Sequence, residues 1–527
     1  MKIRQAYINL KQVYIDLKSI STVGLLLLLS GCISTPPKQE NQALEQNAHQ
    51  SLIAVEILHL DIDHLVDLVS QIHPEPFALI TQQSFISQAN LLKQSIRYPL
   101  SRIEFYLKLA PLVASLGDIH SQLVFPHYLR NRLLRDKKYK LFPLAVIYQK
   151  EQLYVAVDLS AHPQIPTGAV ISHINQVPVK YLLRMMQRLN SKETDSGQRR
   201  KIQVDFPWLL AMLGYAKTDY SITYYWKNSE HHLTIEGLDL PQVVENNEKN
   251  AKQKNDFVEL QDKLANSYYG YTAINHSTAL LWFNDFNETP SIFKSYIDKK
   301  FSQIKEQGIT NLIIDVRYND GGISQNIKYL LSYLSKKPLY WAKSAAINIS
   351  QPLKKSHQQH TKARRKSKYR WGLQWLPLEW TDSLQYKILW GDLGEVVKVE
   401  FEATEPKNHD SFNHLMVLTN GYCYSACSSL VAIVNKYNIG TTIGETAGSF
   451  AKVQYAYPIK TQLPHSQLNL ILPTTKLLMG KENNRYKMIK KQHDWLITPK
   501  IAVSRSPQQI INREDALIKK ALELMKQ

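Results

Sequence analysis

Cysteine is scarce in this sequence, and so are long apolar runs. The 527 residues include three cysteines, which excludes a disulfide-rich scaffold. The apolar run at residues 23–29 is far shorter than the ~20 residues that span a bilayer. Neither a phosphate-binding loop nor a dinucleotide fingerprint occurs. With 44% hydrophobic and 21% charged residues, the bulk of the chain is expected to be globular.

Acidic residues are outnumbered, with 45 Asp and Glu against 64 Lys and Arg, for a net charge of +19. A surface of this sign attracts polyanions. We find no recognisable nucleic-acid-binding module and expect no nucleic-acid partner. His357 and His360 lack the further ligands that a zinc site needs, so no metal is expected.

The N-terminus has the layout of a secretory signal, because Lys2, Arg4, Lys11 and Lys18 precede the apolar run. The next residues, Leu29-Ser30-Gly31-Cys32, resemble the lipobox of bacterial lipoproteins, which implies cleavage after residue 31 and a lipid on Cys32. By the same resemblance, Ile33 in place of aspartate favours the outer membrane, facing the periplasm. We therefore predict membrane attachment through Cys32. A soluble secreted protein is the alternative.

The two other cysteines, Cys423 and Cys427, are four residues apart. On one continuous helix their Cβ atoms would be about 6 Å apart, which is too far for good disulfide geometry. Two buried thiols are therefore slightly favoured, unless Cys423 precedes the helix and a disulfide can form.

Changes in composition divide the chain into several units. We predict a signal peptide (1–31), a polar tether (32–50), an N-terminal helical domain (51–135), a β-rich domain (140–240), a charged linker (241–266) and an α/β catalytic core (267–510) with a basic insertion (338–413).

Two of these units carry a functional hypothesis. Residues 168–179 resemble the PDZ stretch in which a strand ends in a turn before a helix, although Gln176 stands where glycine is usual. This implies capture of an extended peptide, and a plain β-rich spacer is the alternative. The insertion is read as a long loop, with basic residues followed by Trp371, Trp375 and Trp380. Contact with anionic lipid or envelope polymers is one hypothesis, and a solvated loop is the other.

Two segments carry the residues for chemistry. An apolar strand at 312–316 leads into a polar turn with paired glycines, Gly321 and Gly322, which lets backbone N–H groups face a ligand oxygen. About 100 residues later, a second strand leads through a turn to Ser425 and an apolar helix. A helix start favours negative charge, so Ser425 is a candidate nucleophile. Its alternative role is an ordinary helix N-cap.

Together these segments resemble the tail-specific and tricorn-type serine proteases, whose motifs read LIIDLR-N-GG and T-x-SA. The resemblance extends over about 267–505. It implies that Ser425 is the nucleophile and that the N–H groups of Ala426 and of Gly321 or Gly322, with Gly322 preferred, form the oxyanion hole. No cofactor is implied.

The two branches of that family use different bases to activate the serine, and each branch suggests a candidate in this chain. The tail-specific branch uses a lysine in a turn where this chain has Ser449, and Lys452 is three residues out of register. The tricorn branch uses a histidine in a segment that here reads Leu116-Gly117-Asp118-Ile119-His120-Ser121. We therefore predict His120 as the general base, with Lys452 as the alternative. By resemblance the orienting acid falls at Asp494, with Glu482 as the second choice.

The predicted architecture is α/β: a crotonase-like layered core with a helical N-terminal domain and a PDZ-like domain. The predicted function is that of a membrane-tethered serine endopeptidase that acts on a polypeptide through an acyl-enzyme at Ser425. A catalytically inactive peptide-binding or scaffold lipoprotein is one alternative. An esterase or transpeptidase of the cell envelope is the other.

Overall fold

A computed structural model describes residues 52–126, 140–239, 241–243, 246, 268–366, 387–407, 412–479, 495–504, 506, 509, 512 and 514–526, with side chains omitted for 359–366. Cys32, Trp371, Trp375 and Trp380 lie outside these residues, so the roles given to them above stay predictions. Within the described part, none of the helices has the length and apolarity needed to cross a bilayer.

Three helices open the described chain: α1 (Val55–Ile72), α2 (Gln82–Ser95) and α3 (Arg102–Ala114). Helix α1 buries residues at three- and four-residue spacings, including Leu58, Ile62, Leu65 and Val69. Helix α3 starts with a capping box, in which the Ser101 side chain accepts from the Glu104 amide and Glu104 accepts from the Ser101 amide. The helix therefore has a defined start, with its N-cap two residues after Pro99.

An antiparallel sheet follows. In chain order the elements are β1 (Gln122–Val124), β2 (Leu144–Gln149), β3 (Gln152–Asp158), β4 (Val170–Ile174), β5 (Val177–Pro178), α4 (Val179–Leu189), α5 (Asp195–Met212), β6 (Asp219–Trp226) and β7 (Ser229–Glu236). Strands β2-β3-β4-β6-β7 form the sheet in that order. Gln176, which stands where glycine is usual, has φ 64° in the β4–β5 turn, a left-handed backbone that glycine adopts at lowest cost.

The C-terminal half alternates strands and helices. Its elements are β8 (Tyr269–Ala273), β9 (Thr278–Phe283), α6 (Pro290–Glu306), β10 (Asn311–Asp315), α7 (Ser324–Leu334), β11 (Ser344–Asn348), α8 (Gln351–Lys366), β12 (Val396–Glu400), β13 (His414–Thr419), α9 (Ala426–Lys436), β14 (Thr441–Gly444), β15 (Val453–Gln462), β16 (Asn469–Leu478), β17 (Ile501–Ala502) and α10 (Ala516–Leu524).

Two sheets are built from this half. One has the order β17-β14-β13-β10-β9-β8 and is parallel except for β8, so the carboxyl ends of β10 and β13 meet at one edge. The other is antiparallel, with the order β1-β16-β11-β12 and β15 beside β16. Strands β11 and β12 come from the basic insertion, so the prediction of a long loop is wrong for its described part. The weakly apolar β11 gains its partners from β16, about 130 residues later, which local patterning does not show.

The packing gives a layered α/β molecule with several sheets. Helices α6, α7 and α9 cover one face of the parallel sheet through residues such as Phe293, Leu330 and Leu430. Helix α10 covers the other face. A separate core runs without interruption from α1–α3 through the antiparallel sheet of β2–β7 to β16. The predicted domain bounds stay predictions, but the two N-terminal units share this one core.

A buried ion cluster fastens α10 to the end of β10. The Arg317 guanidinium donates to both oxygens of Asp315 and of Asp515, at 2.6–3.1 Å, and all three side chains are buried. Asp515 also caps α10 by accepting from the amides of Leu517 and Ile518. Removal of the cation would leave two carboxylates buried without compensation.

We therefore expect Arg317→Met to destabilise the fold by about 3–5 kcal/mol, the usual cost of breaking a buried pair from one side. Urea unfolding followed by circular dichroism measures this change. Lys192→Met is the matched control, because it removes a cation from the exposed pair with Asp195 and should cost about 0–1 kcal/mol. Equal losses in the two variants would contradict the prediction.

Candidate active site

Ser425 lies in the turn between β13 and α9, immediately before the first helical residue. Its φ of 49° and ψ of −118° form a backbone conformation that L-residues rarely adopt, at a cost on the order of 1–3 kcal/mol. The side chain makes no capping hydrogen bond to the helix. Ser425 therefore stands at the N-cap position without acting as the cap, and its hydroxyl is not engaged by the backbone of α9.

Backbone contacts hold this strained turn. The Ser425 amide donates to the Ser449 hydroxyl at 2.9 Å, and the Tyr424 amide donates to the Asn319 carbonyl at 3.2 Å. Ser449 occupies the position where the tail-specific branch has its lysine, and its side chain is buried. Its hydroxyl thus holds the turn at residues 420–425, the nucleophile turn, named after the predicted role of Ser425. Lys452, the alternative base, is exposed.

Cys423 and Cys427 are joined by a disulfide, with their Cα atoms 5.2 Å apart. The slight preference for two free thiols was wrong. The bond can form because Cys423 precedes the helix, which begins only at Ala426. This is the condition under which the sequence allowed a disulfide.

Of the paired glycines, Gly321 faces the nucleophile turn, and Gly322 packs against the backbone of Phe286. A Cβ on Gly321 would lie 3.0 Å from the Ser425 Cβ and 3.3 Å from the Ala426 nitrogen. The Gly321 amide donates to the Asn319 side chain at 2.9 Å. Phe286 pairs with this segment through two backbone hydrogen bonds: its amide donates to the Gly321 carbonyl, and its carbonyl accepts from the Ile323 amide. The Gly322 amide takes part in neither bond. Ala426 opens α9, so its N–H belongs to the donors that a helix cannot satisfy internally.

His120 lies in the loop after α3, beside the fully buried Asp118. Asp118 accepts from the His120 amide at 3.0 Å and from the Ser121 hydroxyl at 2.7 Å. The His120 Nδ1 is 3.5 Å from Asp118 Oδ1, which is the outer limit of a hydrogen bond, so this contact is mainly electrostatic. His73 approaches the other Asp118 oxygen at 3.4 Å. With Nδ1 facing Asp118, Nε2 is the ring nitrogen that points away from that carboxylate.

Glu193 joins the His120 loop to the nucleophile turn. One carboxylate oxygen accepts from the Ile119 amide at 3.4 Å, and the other accepts from the Phe450 amide at 2.8 Å. Phe450 follows Ser449, whose hydroxyl holds the Ser425 amide. A continuous series of contacts thus runs from His120 to Ser425, although the two residues are about 300 positions apart in the sequence.

The electrostatics of this cluster are coupled. Burial raises the pKa of Glu193 to about 8, and the charge of Asp118 adds to that effect. Burial also acts to raise the pKa of Asp118, but contacts with His120 and His73 outweigh it, so that pKa lies below its usual range. For His120, burial alone would lower the pKa, but Asp118 and Glu193 reverse this and raise it. Asp118 is therefore the group that carries the negative charge near neutral pH.

The raised pKa of Glu193 predicts a pH-dependent stability. Its stabilising effect is fully present below the ordinary pKa of 4.5 and is lost as the pH rises through about 8. We expect the Tm of the wild type to fall by about 2–5 °C more than that of Glu193→Gln between about pH 5 and pH 8. Scanning calorimetry measures this. Parallel curves for the two proteins would show that Glu193 does not titrate in this range.

Metal-binding side chains converge at the same point, since the donor atoms of Asp118, His120 and Glu193 lie within 4.8 Å of one another. The two carboxylates already accept from the His120, Ser121 and Phe450 donors described above. We assign no metal to this cluster.

The start of α5 packs across the nucleophile turn. The Thr194 hydroxyl donates to the Ala447 carbonyl at 3.0 Å, and the Tyr424 hydroxyl donates to the Gly197 carbonyl at 2.6 Å. Arg200 pairs with Glu445, which follows β14. The site is thus assembled from the helical segment, the start of α5 and the C-terminal half of the chain.

Some functional candidates of this cluster were missed in the sequence. Asp118 was visible as part of the His120 motif, two residues away, but was given no role. Glu193 and His73 carried no local signal, because only the tertiary packing brings them to His120. The predicted orienting acids Asp494 and Glu482 lie outside the described residues, so their role stays a prediction.

A strained serine at a helix start, opposite Gly321 and linked to a cluster of a histidine and two buried carboxylates, is an arrangement suited to serine hydrolases. Residues 277–487 match the model of peptidase family S41, so this part of the chain is similar to that family. The resemblance to tail-specific and tricorn-type proteases is thereby confirmed. No curated protein matches the chain in sequence.

Solved structures give the same fold. Mature CPAF is 14% identical, with a TM-score of 0.59 over 89% of this chain and 96% of that chain. The structure of mature CPAF complexed with lactacystin is 14% identical, with a TM-score of 0.60 over 89% of this chain and 97% of that chain. A photosystem II D1 C-terminal processing protease is 12% identical over 86% and 94% of the chains, with a TM-score of 0.39. The likeness to CPAF shows that the two proteins share a fold over most of this chain, beyond the segment matched by the family model.

Proposed function

We propose that the chain is a serine endopeptidase with Ser425 as nucleophile and His120 as general base. The observation that carries this proposal is the backbone of Ser425, which is held in a costly conformation with its hydroxyl released from helix capping. Strain of this type persists only where the surrounding structure enforces it, and it is concentrated at reactive positions.

The proposed reaction has two halves. His120 takes the proton from the Ser425 hydroxyl as the oxygen attacks a peptide carbonyl, and the amides of Gly322 and Ala426 stabilise the oxyanion. The protonated His120 then gives its proton to the leaving amine. Water, deprotonated by His120, hydrolyses the acyl-enzyme and restores Ser425.

Asp118 is the orienting acid that the geometry favours, because it is charged and faces Nδ1 of His120. Asp494 stays a second proposal for this role. Neither role requires a metal or an organic cofactor.

The remaining parts fit a tethered peptidase. We propose that lipid on Cys32 attaches the protein to the outer membrane, where it faces the periplasm. We propose a crotonase-like core for the parallel sheet and its helices, and a PDZ-like role for the β2–β7 sheet. Its exposed edge strand β7 offers main-chain groups to an extended polypeptide. The basic insertion is proposed to contact anionic lipid or envelope polymers.

Labelling with a fluorophosphonate tests the proposal. Wild-type protein without its signal peptide should gain one phosphonyl group by intact mass, and Ser425→Ala should gain none while keeping its far-UV circular dichroism. Ser302→Ala is the matched control, because Ser302 is an exposed serine on α6 and its removal should leave labelling intact. Labelling of Ser425→Ala at the wild-type rate would refute the assignment. Absence of labelling in all forms would favour the peptide-binding alternative.

A further inference from the structure

Two cysteines lie symmetrically about the proposed nucleophile, two residues before and two residues after Ser425, and they are bonded to each other. We propose that the Cys423–Cys427 disulfide is a positioning device that holds Ser425 in its reactive conformation, so that oxidation of these cysteines activates the peptidase after export. This inference rests on the proposed function of Ser425.

A longer α9 would compete with the turn at Ser425. The disulfide excludes this longer helix. The segment after Ala426 is apolar and helical, and an extra turn of helix through Cys423 would relieve the strain at Ser425. In such a helix the Cβ atoms of residues four apart are about 5–6 Å from each other. A disulfide requires about 3.5–4.5 Å. The bond therefore cannot form on a continuous helix, and once formed it prevents the helix from extending through Ser425.

Only weaker contacts hold the turn without the bond. The Cys423 carbonyl accepts from the Gly448 amide at 2.8 Å and from the Ser428 hydroxyl at 2.5 Å, and the Ser425 amide donates to Ser449. Each of these contacts exchanges readily for a hydrogen bond to water or to a helix carbonyl, so its net contribution is small. Because the strain at Ser425 is of comparable size, reduced protein should populate both the turn and the longer helix.

Because both cysteines are buried, the disulfide persists once it has formed. Both side chains have 0% exposure, so reductants do not reach the bond in the folded protein. The two thiols must be oxidised during folding, when a small disulfide such as oxidised glutathione takes up two electrons and two protons and becomes two thiols. Cys32 is the only other cysteine in the chain, and lipid would remove it as a competitor. Protein kept in a reducing compartment would thus fold with Ser425 less reactive.

The test compares three preparations, all from the chain without its signal peptide and with Cys32→Ser. The first is refolded with oxidised glutathione, the second is unfolded, reduced and refolded with dithiothreitol, and the third is Cys423→Ala/Cys427→Ala. The second-order rate of fluorophosphonate labelling is measured for each, together with the Tm. Intact mass confirms the redox state, because reduction adds two hydrogen atoms.

We expect labelling to be about 10- to 100-fold slower in the reduced protein and in the double variant than in the oxidised protein. Reoxidation should restore the wild type and leave the double variant slow. A merely structural bond would lower the Tm without this loss of rate.

Two outcomes would overturn the inference, and they differ from each other. If all three preparations are labelled equally fast, the disulfide does not position Ser425, and the proposed nucleophile stands. If the oxidised protein is not labelled at all, the proposed function fails, and the positioning role fails with it. If the double variant does not fold, the reduced and reoxidised wild type still decides between these outcomes.

Discussion

His120→Ala is expected to lower kcat for peptide hydrolysis roughly a million-fold, the loss seen when the serine or the histidine of a hydrolytic triad is removed. The hydroxyl of Ser425 is a weak nucleophile at neutral pH unless a base takes its proton. KM should change little, because the imidazole contributes to the transition state rather than to substrate binding. Hydrolysis of fluorescein-labelled casein measures the rate.

Lys452→Ala is the control for this experiment, since Lys452 is the alternative base. Its side chain is exposed, and we expect hydrolysis within a factor of about two of the wild type. Added imidazole should recover part of the activity of His120→Ala, because it can occupy the space that the ring leaves. If Lys452→Ala is inactive and His120→Ala is active, the tail-specific type of mechanism applies instead.

Asp118→Asn is expected to lower kcat about 10³- to 10⁴-fold. The asparagine amide would donate towards Nδ1 of His120 and favour the tautomer that cannot accept the serine proton at Nε2. Loss of the Asp118 charge should also lower the pKa of His120, because that charge offsets the effect of burial. The acidic limb of the pH–rate profile should therefore move to lower pH, an effect that misfolding would not produce.

Asp494→Asn separates the two proposals for the orienting acid. If Asp118 holds the imidazole, Asp494→Asn should retain most of the activity and the wild-type pH profile. If instead Asp494→Asn loses activity and Asp118→Asn does not, the acid lies after β16, as the family resemblance implied, and Asp118 only shapes the loop. Thermal unfolding of each variant shows whether either change acts through stability.

Local patterns predicted the elements that carry Ser425. The apolar run at 312–316 and the segment around 414–419 became adjacent parallel strands, because a fully buried strand needs apolar residues on both faces. The paired glycines marked two close backbone approaches, that of Gly321 to Ser425 and that of Gly322 to Phe286. These features depend on short-range residue types, and a single sequence displays them directly.

Features that depend on contacts between distant segments of the chain could not be predicted. Strands β11 and β12 find their partners far along the chain, and so does Glu193, whose carboxylate connects loops from different parts of the molecule. The disulfide depended on a single boundary: whether α9 began before or after Cys423. Such boundaries are set by strain and packing around Ser425, and neither is visible in the hydrophobic periodicity.

The packing of α5 against Gly448 and Tyr424 has a consequence for fragments of this protein. The stretch that defines the family carries the serine and the glycines, but the imidazole and its carboxylates arrive from the N-terminal segment. A piece covering 267–527, which keeps α10 and the Asp515 partner of Arg317, would therefore lack the predicted base and its carboxylates. Supplied separately, residues 51–240 should restore its activity by complementation, and the affinity between the two pieces would set the working concentration.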